Sequence, residues 1–424
     1  MKILVLNSGS SSQKIRLYEF SDSIPEHPPV PLWQGRVEWG RERKMEVSNA
    51  QGLALEADLP VGSQADAVGQ LLNALSSGDA SGVTSLSEIA AVGHRFVHGG
   101  SEFRDPVRIT TSVRDSLRRL ESFAPLHNRA ELEGVEAIDE RLADVPQIAV
   151  FDTAFHSQMP VSAFVYPGPY DWLGRGIRRY GFHGINHQYC AERTAQLLGK
   201  GLRSIRIVSC HLGSGCSLAA IQDGHSVDTT MGFTPLEGLM MSTRSGSVDP
   251  GILTYLLLQE RLSPERLDEI LNTKSGLLGI SGISGDMRDI VSGMKRGHER
   301  AQLAFEIFVH CLMRGIGAMI AVLGGVDVLV FTAGIGENSP EVRAIACESL
   351  AYLQVKLDRQ KNQVTNEDIE ISTSESAVRT FVIHANEEWA IARECWRVLF
   401  KKGDIRPAIV RRAFDEGGQD LSRK

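Results

Sequence analysis

The chain has 424 residues, of which 42% are hydrophobic and 23% are charged, and its formal net charge is −7. This length exceeds one ordinary hydrophobic core, so two domains are expected. The negative balance excludes a general electrostatic attraction to nucleic acid or to an anionic membrane. Six cysteines lie scattered without a CxxC or Cys/His metal spacing, and no secretory signal is evident, which together favour a reducing cytoplasm.

One pattern occurs twice along the chain. Residues 2–20 read KILVLNSGSSSQKIRLYEF, and residues 205–224 read IRIVSCHLGSGCSLAAIQDG. Each is an apolar run, a Gly/Ser-rich turn and a second alternating run, which predicts a β-hairpin. Such turns present backbone N–H groups that suit a phosphate chain. Two of them predict a duplicated domain that holds a polyphosphate from both sides.

Helices and strands alternate around the two hairpins. Ser112 and Asn128 are predicted N-caps of two helices, with Asp115 completing a capping box in the first. The apolar segment 301–323 carries three ionisable side chains, which favours a buried core helix over a membrane span. Further helices are predicted around 65–75 and 249–259, and strands over 89–97, 147–151, 328–332 and 378–384.

Polar segments follow several of these strands. Asp152 comes directly after strand 147–151, at the end of the strand where ligands of α/β sheets gather. A Gly-rich turn, 334–338, follows strand 328–332, and Ser339 with Pro340 then begins a helix. The segment Asn386–Glu388 is predicted to cap a helix with two acids in its first turn.

The two commonest nucleotide fingerprints are missing from the sequence. There is no GxxxxGK[ST] loop, and no GxGxxG follows a strand. Three Gly/Ser-rich turns at strand ends, 7–12, 211–215 and 334–338, predict the phosphate and nucleotide contacts instead.

Longer motifs carry a resemblance to a known family. In chain order they are NSGSSS (7–12), RFVHGG (95–100), PLHN (125–128), FDTAFH (151–156), YGFHG (180–184), MGFTPLEGLMM (231–241), TRSG (243–246), SGLLGISG (275–282) and TAGIGEN (332–338). With Asn386–Glu388 they span about residues 1–400 and resemble the acetate kinase family. The resemblance implies a homodimer and the duplicated ribonuclease-H-like, or actin-like ATPase, α/β fold with an interdomain active-site cleft. It implies one domain at 1–152, completed by a C-terminal helix at 387–400, a second, nucleotide-binding domain at 153–386, and a charged tail at 401–424.

The family reaction moves the γ-phosphoryl of ATP reversibly to acetate, by direct in-line transfer, to give acetyl phosphate and ADP. Acetate is already ionised at neutral pH, so the obstacle is the approach of two anions, which repel by about 4 kcal/mol at ~4 Å and an effective dielectric near 20. The resemblance assigns Arg95 to the acyl carboxylate or phosphate and Arg244 to the charge on the transferring group. His183 would donate to an equatorial oxygen in the transition state.

The resemblance also implies a divalent metal. Asn7 and Glu387 would hold Mg²⁺, for which Mn²⁺ could substitute, and Glu388 could exchange roles with Glu387. Asp152 is the family's proton donor or acceptor, although orienting a metal-bound water, or Arg and His partners, is easier to justify physically. We therefore expect Asp152→Asn to lose far more in kcat than in substrate binding.

The remaining implied contacts belong to the nucleotide and the acyl group. The nucleotide residues are Lys14, His211, Leu212, Gly213, Ser214, Gly215, Asp286, Met287, Arg288, Gly334, Ile335, Gly336, Glu337 and Asn338. The acyl pocket would consist of Val97, Leu126, Phe182 and Pro235, with His127 as a supporting anion contact. Core packing is the alternative for the pocket residues, and a local ion pair at a helix start is the alternative for Asp286 and Arg288.

The sequence departs from the family pattern at Phe96, Arg129, Ser214, Ser242 and Ser247. A propionate or other short-chain acyl kinase of the same family is therefore the closest alternative, because one methylene in a pocket is worth only about 1–3 kcal/mol. A nucleotide-driven actin-like or chaperone-like clamp and a sugar kinase are more distant alternatives. The clamp would need no pocket for an acceptor anion.

Overall fold

The computed structural model describes residues 1–8, 12–21, 23–38, 43–59, 63–122, 125–364 and 366–400, and the side chains of these ranges except 43, 64, 122 and 125–127. The chain divides into two structural units. Unit 1 consists of Met1–Ala154 and the segment that begins at Asn386, and unit 2 consists of Phe155–Ala385.

The elements alternate as the sequence predicts. The strands are β1 (Lys2–Ser8), β2 (Ser12–Glu19), β3 (Trp33–Glu38), β4 (Arg43–Asn49), β5 (Ala54–Leu59), β6 (Ile89–Phe96), β7 (Val107–Arg108), β8 (Gln147–Phe151), β9 (Ile207–Leu212), β10 (Cys216–Gln222), β11 (His225–Thr229), β12 (Val328–Thr332), β13 (Ile369–Glu370) and β14 (Arg379–Val382). The helices are α1 (Gln64–Ser76), α2 (Thr111–Arg119), α3 (Pro125–Arg141), α4 (Val161–Phe164), α5 (Asp171–Gly174), α6 (Gly184–Leu197), α7 (Pro250–Leu258), α8 (Pro264–Thr273), α9 (Gly276–Ser281), α10 (Met287–Lys295), α11 (Glu299–Leu323), α12 (Ala333–Asn338), α13 (Pro340–Glu348) and α14 (Glu387–Phe400).

The sheets of the two units share one topology. In unit 1 the strand order is β5-β4-β3-β2-β1-β6-β8-β7, and in unit 2 it is β11-β10-β9-β12-β14-β13. In each, an antiparallel hairpin (β1-β2 or β9-β10) is followed by strands that pair in parallel with its first strand and then with one another. The core β3-β2-β1-β6-β8 thus corresponds to β11-β10-β9-β12-β14. The predicted hairpins and the duplicated actin-like fold class are confirmed.

The parallel strands bring polar side chains to one edge of each sheet. In unit 1, β1, β6 and β8 end beside Asn7, Arg95 and Asp152. In unit 2, the register pairs His211 at the end of β9 with Thr332 at the end of β12. Residues far apart in the sequence therefore meet at the carboxyl ends of the strands, where α/β sheets bind ligands.

Helices cover both faces of the unit 1 sheet. α1 and α3 pack on one face over a core that includes Trp33 and Leu71. α14 packs on β1 and β6 at close range, since a Cβ on Gly93 would lie 2.5 Å from Cys395 Sγ and 2.8 Å from Ile391 Cγ2. The absence of a side chain at Gly93 is what lets α14, and Glu387 at its start, approach the ends of these strands.

α11 is a core helix, as predicted. It is the only helix in the described part of the chain that is long and apolar enough to cross a membrane. Ten of its side chains are buried. A Cβ on Gly315 would lie 2.7 Å from Leu218 Cδ1, so the helix lies directly against β10.

Three local predictions were wrong, and a fourth is confirmed in its position. Thr110, not Ser112, caps α2, because its hydroxyl accepts from the Val113 N–H. Asn128 lies inside α3, where its Nδ2 donates to the His98 carbonyl at 3.1 Å. The predicted turn 334–338 is the short helix α12. As predicted, Ser339 and Pro340 begin a helix, α13, although the Ser339 side chain makes no cap hydrogen bond.

Candidate active site

Arg95 lies at the centre of a polar cluster in unit 1. Its Nε and Nη2 donate to Asp152 Oδ2 at 3.1 and 2.6 Å, and its Nη1 donates to Asn7 Oδ1 at 3.1 Å. Burial works to lower the pKa of the Arg95 guanidinium, but the Asp152 and Glu387 carboxylates outweigh it and raise that pKa. Arg95 is therefore a fixed cation, and Asp152 sets its orientation.

Asn7 connects this cluster to the first turn of α14. Its Nδ2 donates to Glu387 Oε2 at 3.1 Å and to Glu388 Oε1 at 3.0 Å. The second oxygen of Glu388 pairs with Arg16 Nη1 at 3.2 Å. Both oxygens of the buried Glu388 are thus used inside the protein, whereas Glu387 is half-buried at the start of the helix.

Glu131 is a member of this region that sequence reasoning missed. Its two oxygens accept from the Val97 N–H at 3.1 and 3.2 Å, and the residue is buried. Burial raises the pKa of the Glu131 carboxyl well above its ordinary 4.5, opposed by Arg95 and the Val97 N–H and assisted by Asp152. In the sequence Glu131 resembles the neighbouring acids Glu133 and Glu136 of α3, so only burial distinguishes it.

Val97 is the one predicted acyl-pocket residue of unit 1 whose side chain the structure describes. It is buried directly after β6, and Glu131 fixes its backbone. The side chains of Leu126 and His127 lie outside the described residues.

In unit 2, His183 has a constrained backbone. It precedes α6 in the left-handed conformation, with φ at 58°, which is uncommon for a residue other than glycine. Its imidazole stacks on that of His211, with ring centroids 4.0 Å apart and planes at 13°. The local strain and the stacking partner together fix where the His183 ring points.

Arg244 differs from Arg95 in its surroundings. Its Nη1 donates to the Pro235 carbonyl at 3.2 Å, and in the described part of the chain no carboxylate pairs with it. Burial lowers the pKa of this guanidinium, and the nearby Cys216 thiol opposes that effect. Among the described residues, no carboxylate therefore neutralises the positive charge of Arg244.

His183 and Arg244 border the same space. A Cβ placed on Gly215 would lie 3.3 Å from His183 Nε2 and 3.5 Å from Arg244 Nη1. Since Gly215 has no side chain, an anion above it could contact a ring nitrogen and a guanidinium together.

The predicted phosphate turn of unit 2 adjoins these residues. Gly213 N donates to Gly215 O at 3.0 Å, and Ser242 N donates to Ser214 O at 3.2 Å. A Cβ on Gly213 would lie 3.6 Å from Ala333 Cβ, so the turn touches the start of α12. Leu212 is fully buried below the turn, and Asn186 Nδ2 donates to His211 Nδ1 at 2.8 Å.

The other predicted nucleotide residues have local partners as well. Asp286 caps α10, and its carboxylate accepts from Arg288 N and pairs with the Arg288 guanidinium at 2.5 Å. Met287, which lies between these two residues in the sequence, is buried. A Cβ on Gly285 would lie 3.0 Å from the Ser242 carbonyl, so this segment adjoins the phosphate turn. Within α12, which holds Gly334, Ile335, Gly336, Glu337 and Asn338, the Glu337 carboxylate accepts from two backbone N–H groups, those of Ala333 and Ala385.

Three further predicted site residues lie within their own units. Phe182 is buried, and its carbonyl accepts from His156 Nε2 at 3.1 Å. Pro235 is half-buried beside Arg244. Lys14 belongs to unit 1, where it pairs in register with Asn7 and lines a groove of about 640 Å³ on the polar face of the sheet.

Comparison with known proteins identifies the family. A model of the acetokinase family matches residues 2–393. Proteins named acetate kinase from Nostoc punctiforme and Cyanothece sp. are 55% and 53% identical over 403 and 402 residues, which is 94% of this chain and 100% and 98% of theirs. The chain belongs to the acetokinase family.

Solved structures of the acetokinase family agree. The crystal structure of Porphyromonas gingivalis acetate kinase matches with a TM-score of 0.86 and 40% identity, covering 94% of this chain and 99% of that one. A propionate kinase from Francisella tularensis matches with a TM-score of 0.84 and 37% identity, covering 93% and 98%. The chain is a phosphotransferase with a carboxyl group as acceptor, and its substrates are acetate and ATP. The family and activity predicted from the motifs are confirmed.

The five departures from the acetokinase pattern are each accommodated locally. Phe96 is buried with its ring 5.8 Å from that of Phe151. Arg129 is exposed and pairs with Glu133. Ser214 and Ser242 are joined by the backbone hydrogen bond described above, and Ser247 Oγ accepts from Gly238 N at 3.0 Å.

Proposed function

We propose that this acetokinase transfers the γ-phosphoryl of ATP directly and in line to acetate, in the cytoplasm, with Arg95, His183 and Arg244 acting on the reacting groups. The observation that carries the proposal is Arg244, a guanidinium in the described structure with no carboxylate partner, which borders the space above Gly215 together with His183 Nε2. Phosphoryl transfer is catalysed mainly by positioning and by neutralising charge, and an arginine with this environment suits that task.

Arg95 and Asp152 have complementary roles in this proposal. The guanidinium of Arg95 is held by Asp152 and Asn7 and would bind the acyl carboxylate or the acyl phosphate. Asp152 accepts two hydrogen bonds from Arg95 through one oxygen, which supports an orienting role for Asp152. Proton transfer from acetate is unnecessary, because the acceptor is already an anion.

The residues of unit 1 suit Mg²⁺. Asn7 Oδ1 accepts one hydrogen bond from Arg95, and an amide oxygen has two lone pairs. Glu387 is the better acidic ligand, since the oxygens of Glu388 are engaged by Asn7 and Arg16. One carboxylate and one neutral oxygen, completed by waters and phosphate oxygens, is a usual magnesium environment. When bound, Mg²⁺ would neutralise phosphate charge and align the polyphosphate, and Asn7 and Glu387 would hold it.

A homodimer is part of the same proposal. α7 reads PGILTYLLL, and none of its residues is buried. Ile252, Tyr255 and Leu258 are spaced three apart on this helix and are all exposed. A second copy of the chain would cover such an apolar surface.

A propionate kinase remains the second candidate, because a solved structure of that name matches this chain almost as well as an acetate kinase structure does. The test is kcat/KM with acetate, propionate and butyrate, measured as acyl hydroxamate formed from Mg-ATP. A highest value with acetate is expected. A highest value with propionate would overturn the acyl assignment, and no hydroxamate from any acid would favour a nucleotide-driven clamp.

A further inference from the structure

A series of buried hydrogen bonds ends at His183. Ser209 Oγ lies 2.9 Å from His187 Nδ1, His187 Nε2 lies 2.8 Å from Ser217 Oγ, and Ser217 Oγ lies 2.9 Å from His183 Nδ1. Ser209, His187 and Ser217 have no exposed surface. We call these three residues the relay. It connects the interior of unit 2 to the ring nitrogen of His183 that faces away from Gly215.

The fold explains why these side chains meet. His187 follows His183 by one turn of α6, and its N–H donates to the His183 carbonyl at 2.9 Å. Both rings lie within hydrogen-bond distance of the same hydroxyl, Ser217 Oγ. Ser209 on β9 and Ser217 on β10 belong to the hairpin against which this helix packs.

The hydrogen bonds of the relay can run in only two directions. Burial, assisted by His156 and His211, lowers the pKa of His187 well below 6.5, so His187 is neutral and carries one ring hydrogen. With that hydrogen on Nε2, His187 donates to Ser217, Ser217 donates to His183 Nδ1, and a neutral His183 carries its hydrogen on Nε2. With the hydrogen on Nδ1, every bond reverses, and His183 Nε2 becomes an acceptor.

Ser209 distinguishes the two directions. Among the described residues, the only hydrogen bond recorded for its hydroxyl is the one to His187. In the first direction this hydroxyl donates to His187 Nδ1, and its hydrogen is satisfied. In the second it accepts, and its own buried hydrogen lacks an acceptor, which costs about 1–3 kcal/mol. The first direction is therefore the stable one.

Several side chains face the His183 ring. His211 stacks on the ring from β9, and Arg244 Nη1 lies near His183 Nε2 across Gly215, with the Cys216 thiol beside it on β10. His187 lies behind Ser217, and the His156 ring is 5.8 Å from that of His187.

We propose that Ser209, His187 and Ser217 are positioning residues that hold the neutral imidazole of His183 with its hydrogen on Nε2. This inference rests on the proposed donor role of His183. His183 then donates to the transferring phosphoryl group without first taking up a proton, and no covalent step is added to the reaction.

Enzyme kinetics test the relay through its pH dependence. Above the ordinary histidine pKa of about 6.5, Ser217→Ala and Ser209→Ala should lower kcat about 10-fold, with little change in the KM of acetate or ATP. Below that pH the deficit should shrink, because an imidazolium carries hydrogen on both nitrogens without help. Ser226→Ala is the matched control: it removes a buried Ser–His bond of 2.7 Å, to His156 Nδ1, outside the relay. It should follow the wild-type profile.

Imidazole ¹⁵N NMR of the full-length protein with labelled histidines tests the relay without substituting any of its three residues. The His183 signals, assigned by their loss in His183→Asn, should show hydrogen on Nε2 at neutral pH. Hydrogen on Nδ1 would overturn the proposal. If His183→Asn is inactive but Ser209→Ala and Ser217→Ala keep the wild-type pH profile, the relay is wrong and the donor role stands. If His183→Asn keeps full kcat, the donor role itself is wrong.

Discussion

Asp152 Oδ2 accepts two hydrogen bonds from Arg95, at 3.1 Å from Nε and 2.6 Å from Nη2. The two residues lie 57 positions apart in the sequence and at the ends of neighbouring parallel strands, β8 and β6. Both side chains are largely removed from solvent. A buried ion pair of this kind fixes the position of its cation, and it penalises the loss of either partner.

Asp152→Asn should therefore affect both catalysis and stability. We expect kcat to fall about 100-fold, because Arg95 loses the carboxylate that aims it, with a much smaller change in KM. The free energy of unfolding should fall by about 3 kcal/mol, since a buried guanidinium is left without its counter-charge. Steady-state kinetics and denaturant unfolding measure the two effects. An unchanged kcat would rule out both an orienting and a proton-transfer role.

Arg244→Met should lower catalysis without lowering stability, unlike Asp152→Asn, which should lower both. Arg244 has no carboxylate partner among the described residues, and burial disfavours its charge. We expect kcat to fall by about 10³-fold, the lower range for an arginine that neutralises a transferring phosphoryl group. The Tm should stay the same or rise. A Tm well below that of the wild type would show that Arg244 has a structural partner instead.

Glu131→Gln should stabilise the protein at neutral pH. A carboxyl whose pKa is raised on folding binds more protons in the folded state, so its contribution to stability declines as pH rises above the unfolded value, 4.5 for Glu131. The variant should thus have a Tm close to the wild-type value near pH 4.5 and an increasing advantage above it. Glu133→Gln, a half-buried acid of the same helix, is the control and should show no such trend. If the Tm of the wild type instead rose relative to that of Glu131→Gln as the pH increased, the proposed effect of burial on the Glu131 carboxyl would be contradicted.

Leu258→Glu should dissociate the proposed dimer. Leu258 is 73% exposed in the chain described here, so a glutamate there does not disturb the core. Light scattering should give about twice 46.4 kDa for the wild type and 46.4 kDa for the variant. Leu55→Glu, at an exposed apolar position in unit 1, is the control and should keep the wild-type mass. A wild type of 46.4 kDa would refute the dimer.

The sequence by itself determined the hairpins, the duplicated fold and the family, because these depend on local patterns: alternation of apolar residues, glycine-rich turns and motifs in a fixed order. The N-cap of α2 and the position of Asn128 were missed, since several hydroxyl and amide residues near a helix start are equivalent in sequence. The hydroxyl that reaches an N–H of the first turn is the cap of α2, and the contact of Asn128 with the His98 carbonyl, 30 positions away, accompanies its place inside α3.

Only the tertiary structure decided the environments of the charged and titratable groups. Arg95 and Arg244 both stand in motifs, yet one pairs with a carboxylate and the other does not. Glu131 becomes distinct from Glu133 only through burial, and the Ser209–His187–Ser217 relay joins residues of one helix and two strands. Burial and hydrogen-bond partners depend on which distant segments pack together, and no local pattern contains that information.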